Sequence, residues 1–197
     1  MIAIDPQQQT ERDNYKLLIG SIIPRPIAFV TSLSAEGVLN GAPFSYFTIV
    51  SSNPPMISLA VQRRAGAPKD TTNNILEAQE FVVHIVDRDN VEAINKTAAT
   101  LPPEQSEILA AGLTPVDSLR IKVPGIREAK IRMECTLERH IDLPGTDLFI
   151  GQVVQFHIED DLYNQGRIDP LKLGAVSRLA GNNYAAIGDI FTIERPM

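Results

Sequence analysis

Ala129-Lys-Ile-Arg-Met-Glu-Cys-Thr-Leu-Glu-Arg-His-Ile141 alternates apolar and polar side chains, with Ile131, Met133, Cys135, Leu137 and Ile141 set against Lys130, Arg132, Glu134, Thr136, Glu138 and His140. Only Arg139 breaks the series. A period of two with one polar face predicts a half-exposed antiparallel strand. Leu143-Pro-Gly-Thr-Asp147 supplies turn chemistry, and Leu148 to Ile158 resumes as a β-rich run. The two segments are therefore expected to form a long hairpin.

Working outward, further strands are predicted at Ile27–Leu33, Leu39–Phe44, Met56–Val61, Phe81–Val86 and Ile190–Ile193, each bounded by Gly, Pro, Ser or Asn. The first two would be joined through Ser34-Ala-Glu-Gly37, where Gly37 tolerates a positive φ. Helical stretches are fewer: Thr72–Ala78, Asn90–Thr97 and Glu104–Ala111, the last entered through Pro102-Pro103. There is no regular strand–helix alternation and no Gly-x-Gly-x-x-Gly motif, so a doubly wound dinucleotide fold is disfavoured. The expected class is mainly β: a closed or nearly closed antiparallel barrel with a few peripheral helices, in one domain spanning 1–197.

Composition narrows the function. With 44% hydrophobic and 21% charged residues, a packed core is expected. A net charge of −6 and a pI near 5.1 argue against a nucleic-acid footprint. No apolar run reaches membrane-spanning length and the first residues lack signal-peptide character, so the expected location is cytoplasmic. Cys135 is the single cysteine and His84, His140 and His157 are far apart, so neither a disulfide framework nor a metal site is expected.

The chemistry is concentrated in Asn40-Gly-Ala-Pro-Phe-Ser-Tyr-Phe47, Ser51-Ser-Asn-Pro-Pro55 and Lys69-Asp-Thr-Thr-Asn-Asn74. Small residues at Gly41, Ala42 and Ser45 would let a flat ring lie close to a strand. Lys69, the Thr71 hydroxyl and the amides of a helix start would meet a phosphate. Each stretch also has a plainer reading: a small-residue strand edge, a proline-terminated turn, and ordinary helix capping by Asp70 or Thr71.

In order along the chain, Pro24-Arg-Pro-Ile-Ala-Phe-Val-Thr-Ser32, Asn40-Gly-Ala-Pro-Phe-Ser45, Ser51-Ser-Asn-Pro-Pro55 and Lys69-Asp-Thr71 with Asn74-Ile75 resemble the flavin reductase-like family of FMN-binding split β-barrels, which includes flavoredoxin-type proteins. Gly151-Gln-Val-Val154 with His157, and Arg178-Leu-Ala-Gly-Asn-Asn-Tyr184, resemble its second half. The resemblance implies a homodimer holding FMN at or near the subunit interface, reduced by NADH or NADPH or by another donor. Electrons would pass to free flavin, a redox partner protein or a metal complex. The alternatives are a flavoredoxin-type carrier with tightly bound FMN and a non-catalytic flavin binder.

Carried over, the resemblance puts Thr31 and Ser32 beside the ring, and Ala42, Pro43 and Ser45 at the flavin edge. It assigns Ser51 and Ser52 to the ring or ribityl chain, and Lys69, Thr71 and Asn74 to the phosphate end. His157 is a candidate for catalysis or substrate contact, weighed against a hydrogen-bonded structural histidine. Arg178 and Tyr184 are candidates for a clamp on the donor, weighed against loop anchoring. Arg25 would meet phosphate, a partner carboxylate or solvent. His84 stands where the family pattern leads one to expect Asn, and its role is open.

Overall fold

The computed structural model describes residues 1–196. Seven strands form the main sheet: β1 Ala28–Leu33, β2 Leu39–Phe44, β3 Phe47–Ser52, β4 Pro55–Gln62, β5 Glu80–Ile85, β6 Ile131–Leu143 and β7 Thr146–Ile158. Their order is β2-β1-β5-β6-β7-β4-β3, and every neighbouring pair is antiparallel. The two edge strands, β2 and β3, are consecutive in the chain and joined only by Ser45 and Tyr46. Laid flat, seven strands would separate those edges by roughly 29 Å. A two-residue link spans only about 10 Å, so the sheet must curl into a barrel.

The β6–β7 hairpin is present, with Leu143 opposite Thr146 and Gly145 at φ 74° in the turn. Its alternation is interrupted, however. A bulge at Glu138, where Leu137 faces Gly151 but Arg139 faces Ile150, flips the later residues. His140 therefore stacks on buried Phe149 at 5.0 Å between ring centroids, and Ile141, expected inside, is exposed. The outer face is also less open than the pattern predicts. Glu134 is fully buried because the Leu119 and Arg120 amides donate to its carboxylate, each at 2.7 Å.

Inside the barrel, Val30, Leu59, Phe81, Val83, Met133, Cys135 and Phe149 form the main core. Burial raises the Cys135 thiol pKa far above its ordinary value, in keeping with an inert core thiol. A second cluster containing Ile27, Phe29, Ile94, Ile108 and Ile126 covers the outside of β1. Both faces of β1 are thus buried, which explains the unbroken apolar run Ala28-Phe29-Val30 at its start.

The helices are α1 Glu11–Ser21, α2 Asp70–Ala78, α3 Val91–Lys96, α4 Glu107–Ala110 and α5 Pro170–Leu173. The sequence reading has no counterpart for α1, which buries only Ile19 and is started by Thr10 accepting from the Asp13 amide. The helix expected over 104–111 shortens to one turn because Ser106, not Pro103, provides its N-cap. Ile190–Ile193 is not a strand: the segment has no ladder partner among the described residues and its apolar side chains are exposed. Conversely, β3 extends through residues read as a turn. Its Ile49 is 79% exposed, so burial gave it no alternating pattern to read.

A second, small sheet pairs Arg25–Pro26 with Val176–Arg178, which in turn pairs with Tyr184–Ala186. It packs the C-terminal part of the chain beside the start of β1 and the end of β2.

Candidate functional site

A groove of about 610 Å³ opens beside β2. One wall is Asn40, Ala42, Pro43 and Phe44; Gln62, Arg63 and Arg64 at the end of β4 form another; Pro68–Thr71 and Thr97–Leu101 complete it. Pro43 is tolerated because β2 is an edge strand paired only with β1, where its missing N–H breaks no ladder. Gly41 lets the strand approach closely, since a Cβ there would lie 2.8 Å from the Phe29 ring and overlap Ile108.

Three basic side chains border the groove, in unequal states. Arg63 is committed: it donates to Asp147 at 3.0 and 2.8 Å and to Asp142 at 2.8 Å. Chiefly through the Arg63 hydrogen bond, the Asp147 pKa is held below its ordinary value. Arg64 donates to the Thr100 hydroxyl, and Lys69 lies 5.5 Å over the Phe44 ring. Neither has an acidic partner among the described residues. Lys69 is solvent-accessible as a residue, yet protein packed around its ammonium lowers its pKa, and repulsion from Arg64 adds to this.

Helix α2 begins at this point with no side-chain cap, which excludes the capping reading of Asp70 and Thr71. Thr71 instead donates to Asn40 Oδ1 at 3.0 Å. Asn40 is the hub of a buried network. Its Nδ2 donates to Glu107 Oε2 at 3.0 Å, Ser32 donates to its Oδ1 at 3.3 Å, and Asn74 donates to Ser32 at 3.2 Å. Burial raises the Glu107 pKa, partly offset by the backbone amides of Glu107 and Gly41 and by the Asn40 side chain.

The sequence-derived residues therefore separate into groups. Ala42, Pro43, Lys69 and Thr71 line the groove. Ser32 and Asn74 stand behind the wall in the network that holds it. Thr31 points to the opposite face of β1 and donates to Pro124 O at 2.7 Å. Ser45 lies just around the Phe44 corner, in two smaller adjoining cavities. Ser51 and Ser52 are on β3, outside the groove of this chain, with Ser51 Oγ accepting from the Asn53 amide. Arg178 stacks on Tyr184 at 4.5 Å, and Tyr184 donates to Asn95 at 3.0 Å.

His157 is tied to Glu134 at 2.5 Å on the barrel's outer side and lines none of these cavities. Burial by itself would raise the Glu134 pKa, but the two amides and His157 together bring it below the ordinary value. His84 is fully buried. Its Nε2 accepts from the Ile126 amide at 3.0 Å, so Nδ1 carries the proton and donates to Phe29 O at 3.0 Å. Arg25 is also buried and donates to the carbonyls of Ile19, Ile22 and Leu179.

Arg63, Arg64, Glu107 and the 97–101 wall were not singled out from the sequence. Arg63-Arg64 directly after a strand was the one available signal; Glu107 looks like any helix glutamate until the fold brings it to Asn40, 67 positions away.

The donor set fits a flavin phosphate ester: unpaired cations and an uncapped helix start at one end, and an apolar Ala42–Phe44 wall for a planar ring. Comparisons agree. The profile described as "Flavin reductase like domain" matches residues 19–172. Nitrilotriacetate monooxygenase component B from Bacillus cereus is 59% identical, covers 98% of each chain and superposes with a TM-score of 0.97. The 2-nitrobenzoate 2-nitroreductase of Pseudomonas fluorescens is 32% identical over 99% of this chain and 96% of its own, with a TM-score of 0.89. Flavoredoxin of Desulfovibrio vulgaris (Miyazaki F), at 21% identity, shares the fold, with a TM-score of 0.79 over 98% and 97% of the two chains. With its barrel closed through Ser45-Tyr46 and its cationic groove beside β2, the chain belongs to the flavin reductase-like family of split barrels.

Proposed function

We propose that the protein is an FMN-dependent oxidoreductase that takes electrons from NADH or NADPH and supplies reduced flavin to a separate oxygenase component. The observation that carries this reading is the groove itself, in which Lys69, Arg64 and the start of α2 face the apolar Ala42–Phe44 wall. Lys69 and Thr71 would hold the phosphate, Ala42 and Pro43 would lie against the ring, and the Asn40–Glu107 network would keep that wall in register. The bound flavin supplies the hydride chemistry; the chain contributes position and local electrostatics. Support for the oxygenase partner comes from the Bacillus cereus protein, whose name makes it one component of a monooxygenase.

We also propose a homodimer. The exposed apolar edge of β3, with Ile49 and Val50, is suited to a second copy, and Ser51 and Ser52 would reach flavin only across such an interface. The deciding experiment is an anaerobic titration of FMN-loaded protein with NADH and then NADPH, followed by visible absorption. Bleaching of the bound flavin band is the expected result. A band unchanged by both nucleotides would refute the donor assignment, and failure to bind FMN at all would refute the site.

A further inference from the structure

Around the Pro43–Phe44 corner from the groove lies a separate cavity of about 140 Å³. Its lining includes Arg25, Lys69 and Arg178 and no aspartate or glutamate, in a chain where 24 acidic residues outnumber 18 basic ones. The small sheet produces this concentration of charge. Arg25 is directly opposite Arg178, and Arg178 is directly opposite Tyr184. Opposed residues of an antiparallel pair leave the same face of the sheet, and like charges placed so destabilise it.

No carboxylate relieves the pair among the described residues. Arg25 is 6% exposed, and all its bonded side-chain donors go to neutral carbonyls, at 2.6 to 2.9 Å; its Nε is buried with no acceptor. Arg178 donates to Gly181 O at 2.7 Å while its guanidinium carbon lies over the Tyr184 ring, 4.5 Å from the centroid. Carbonyls at the end of α1 stabilise a cation but do not neutralise it. Ser45 and Tyr46 add neutral hydroxyls to the wall, and burial, the largest effect on Tyr46, keeps its hydroxyl protonated.

The cavity is smaller than the roughly 300–1,000 Å³ of sites that enclose a whole organic ligand. It suits one doubly charged oxyanion group. Past Ser45 and Arg178 it adjoins a slot of about 230 Å³ along Tyr184, where the rest of a larger molecule would extend. Lys69 is common to the cavity and the flavin groove, so an anion here would lie next to the flavin without using its groove.

We propose that this cavity binds the diphosphate of the nicotinamide donor, with Arg25 and Arg178 as its paired cations. The inference rests on the donor reading above and adds where the donor is held. The test is calorimetric titration of the FMN-loaded protein with inorganic pyrophosphate in low-chloride buffer. One-site binding is expected, in competition with NADH or NADPH and not with FMN. Arg178→Gln should weaken pyrophosphate roughly 10- to 150-fold, the loss of one charged hydrogen bond, while leaving FMN affinity and the circular dichroism spectrum unchanged. Arg178→Lys should recover part of that loss.

No binding up to about 10 mM pyrophosphate, or equal binding by Arg178→Gln, would overturn the proposal. Displacement of pyrophosphate by FMN would do the same by giving the cavity to the flavin. Pyrophosphate binding that neither nicotinamide nucleotide competes with would overturn this proposal, and bleaching of the flavin by either nucleotide in the same preparation would leave the donor assignment and the flavin groove intact.

Discussion

His84 should make the protein lose stability on mild acidification. The ring is fully buried between β1 and the segment around Ile126, where burial drives its pKa from an ordinary 6.5 down to about 3. Gly125 allows this packing, since a Cβ there would come within 2.9 Å of His84 Nε2. The charged ring would also lose its acceptor role toward the Ile126 amide. Because the folded pKa is depressed, the unfolded chain binds a proton below 6.5 while the folded chain does not until about 3. The contribution is therefore complete above 6.5 and falls away as pH drops toward 3. Linkage gives a loss of about 2 kcal/mol between pH 7 and pH 5, and about 5 kcal/mol once both states are protonated.

The assay is urea unfolding of wild type and His84→Gln at those two pH values. Glutamine costs stability at both, since it does not reproduce both ring hydrogen bonds, but it removes the titration, so the readout is the difference in slope. Wild type should lose about 2 kcal/mol more than the variant over this interval. Parallel losses, or a ring that nuclear magnetic resonance shows protonating near pH 6 in the folded protein, would refute the reasoning.

Lys69→Ala should weaken FMN by about 1.5–3 kcal/mol, the worth of a charged hydrogen bond, and leave riboflavin affinity unchanged; equal losses in a fluorescence titration would remove Lys69 from the phosphate end. Gly151→Ala would press a Cβ into the buried Phe81 ring and should cost about 1–3 kcal/mol in thermal or urea unfolding. Asp147→Asn should destabilise by about 1–3 kcal/mol at neutral pH, discounted because Arg63 is still partly solvated. Since the Asp147 pKa is depressed, its contribution is present above about 3.8 and lost below it, so the variant should also show a shallower acid limb in a pH series of unfolding midpoints.

Local pattern carried much of the fold. Alternation from Ile131 to Leu137 and the Pro144-Gly145 turn specify the β6–β7 hairpin, because one face meets a core and register follows from that. The same logic failed at Ile141. The bulge at Glu138 answers to Gly151 on the neighbouring strand and to Phe81 beyond it, and neither is visible from the alternating segment alone. It failed at Ile190–Ile193 as well, where residues with strand propensity find no ladder among the described residues, and propensity alone does not make a strand.

The candidate site divides in a similar way. Chain-local chemistry marks Ala42, Pro43, Lys69 and Thr71, since small residues on an edge strand and a lysine before a helix are the kinds of residue that suit a flat phosphorylated ligand, and all four line the groove. Which neighbours face the groove is decided by contacts between distant segments. Ser32 and Glu107 are turned inward to Asn40 and Asn74 to Ser32, Thr31 is turned outward to Pro124, and His157 is drawn away to Glu134. Arg25 and Arg178, 153 positions apart, become partners only when the last strands fold back beside the first. The sequence by itself determined residue chemistry and strand periodicity, because both depend on near neighbours; closure through Ser45-Tyr46, the bulge and the direction of each polar side chain belonged to the tertiary structure, because each is set by which remote segment supplies the hydrogen-bond partner.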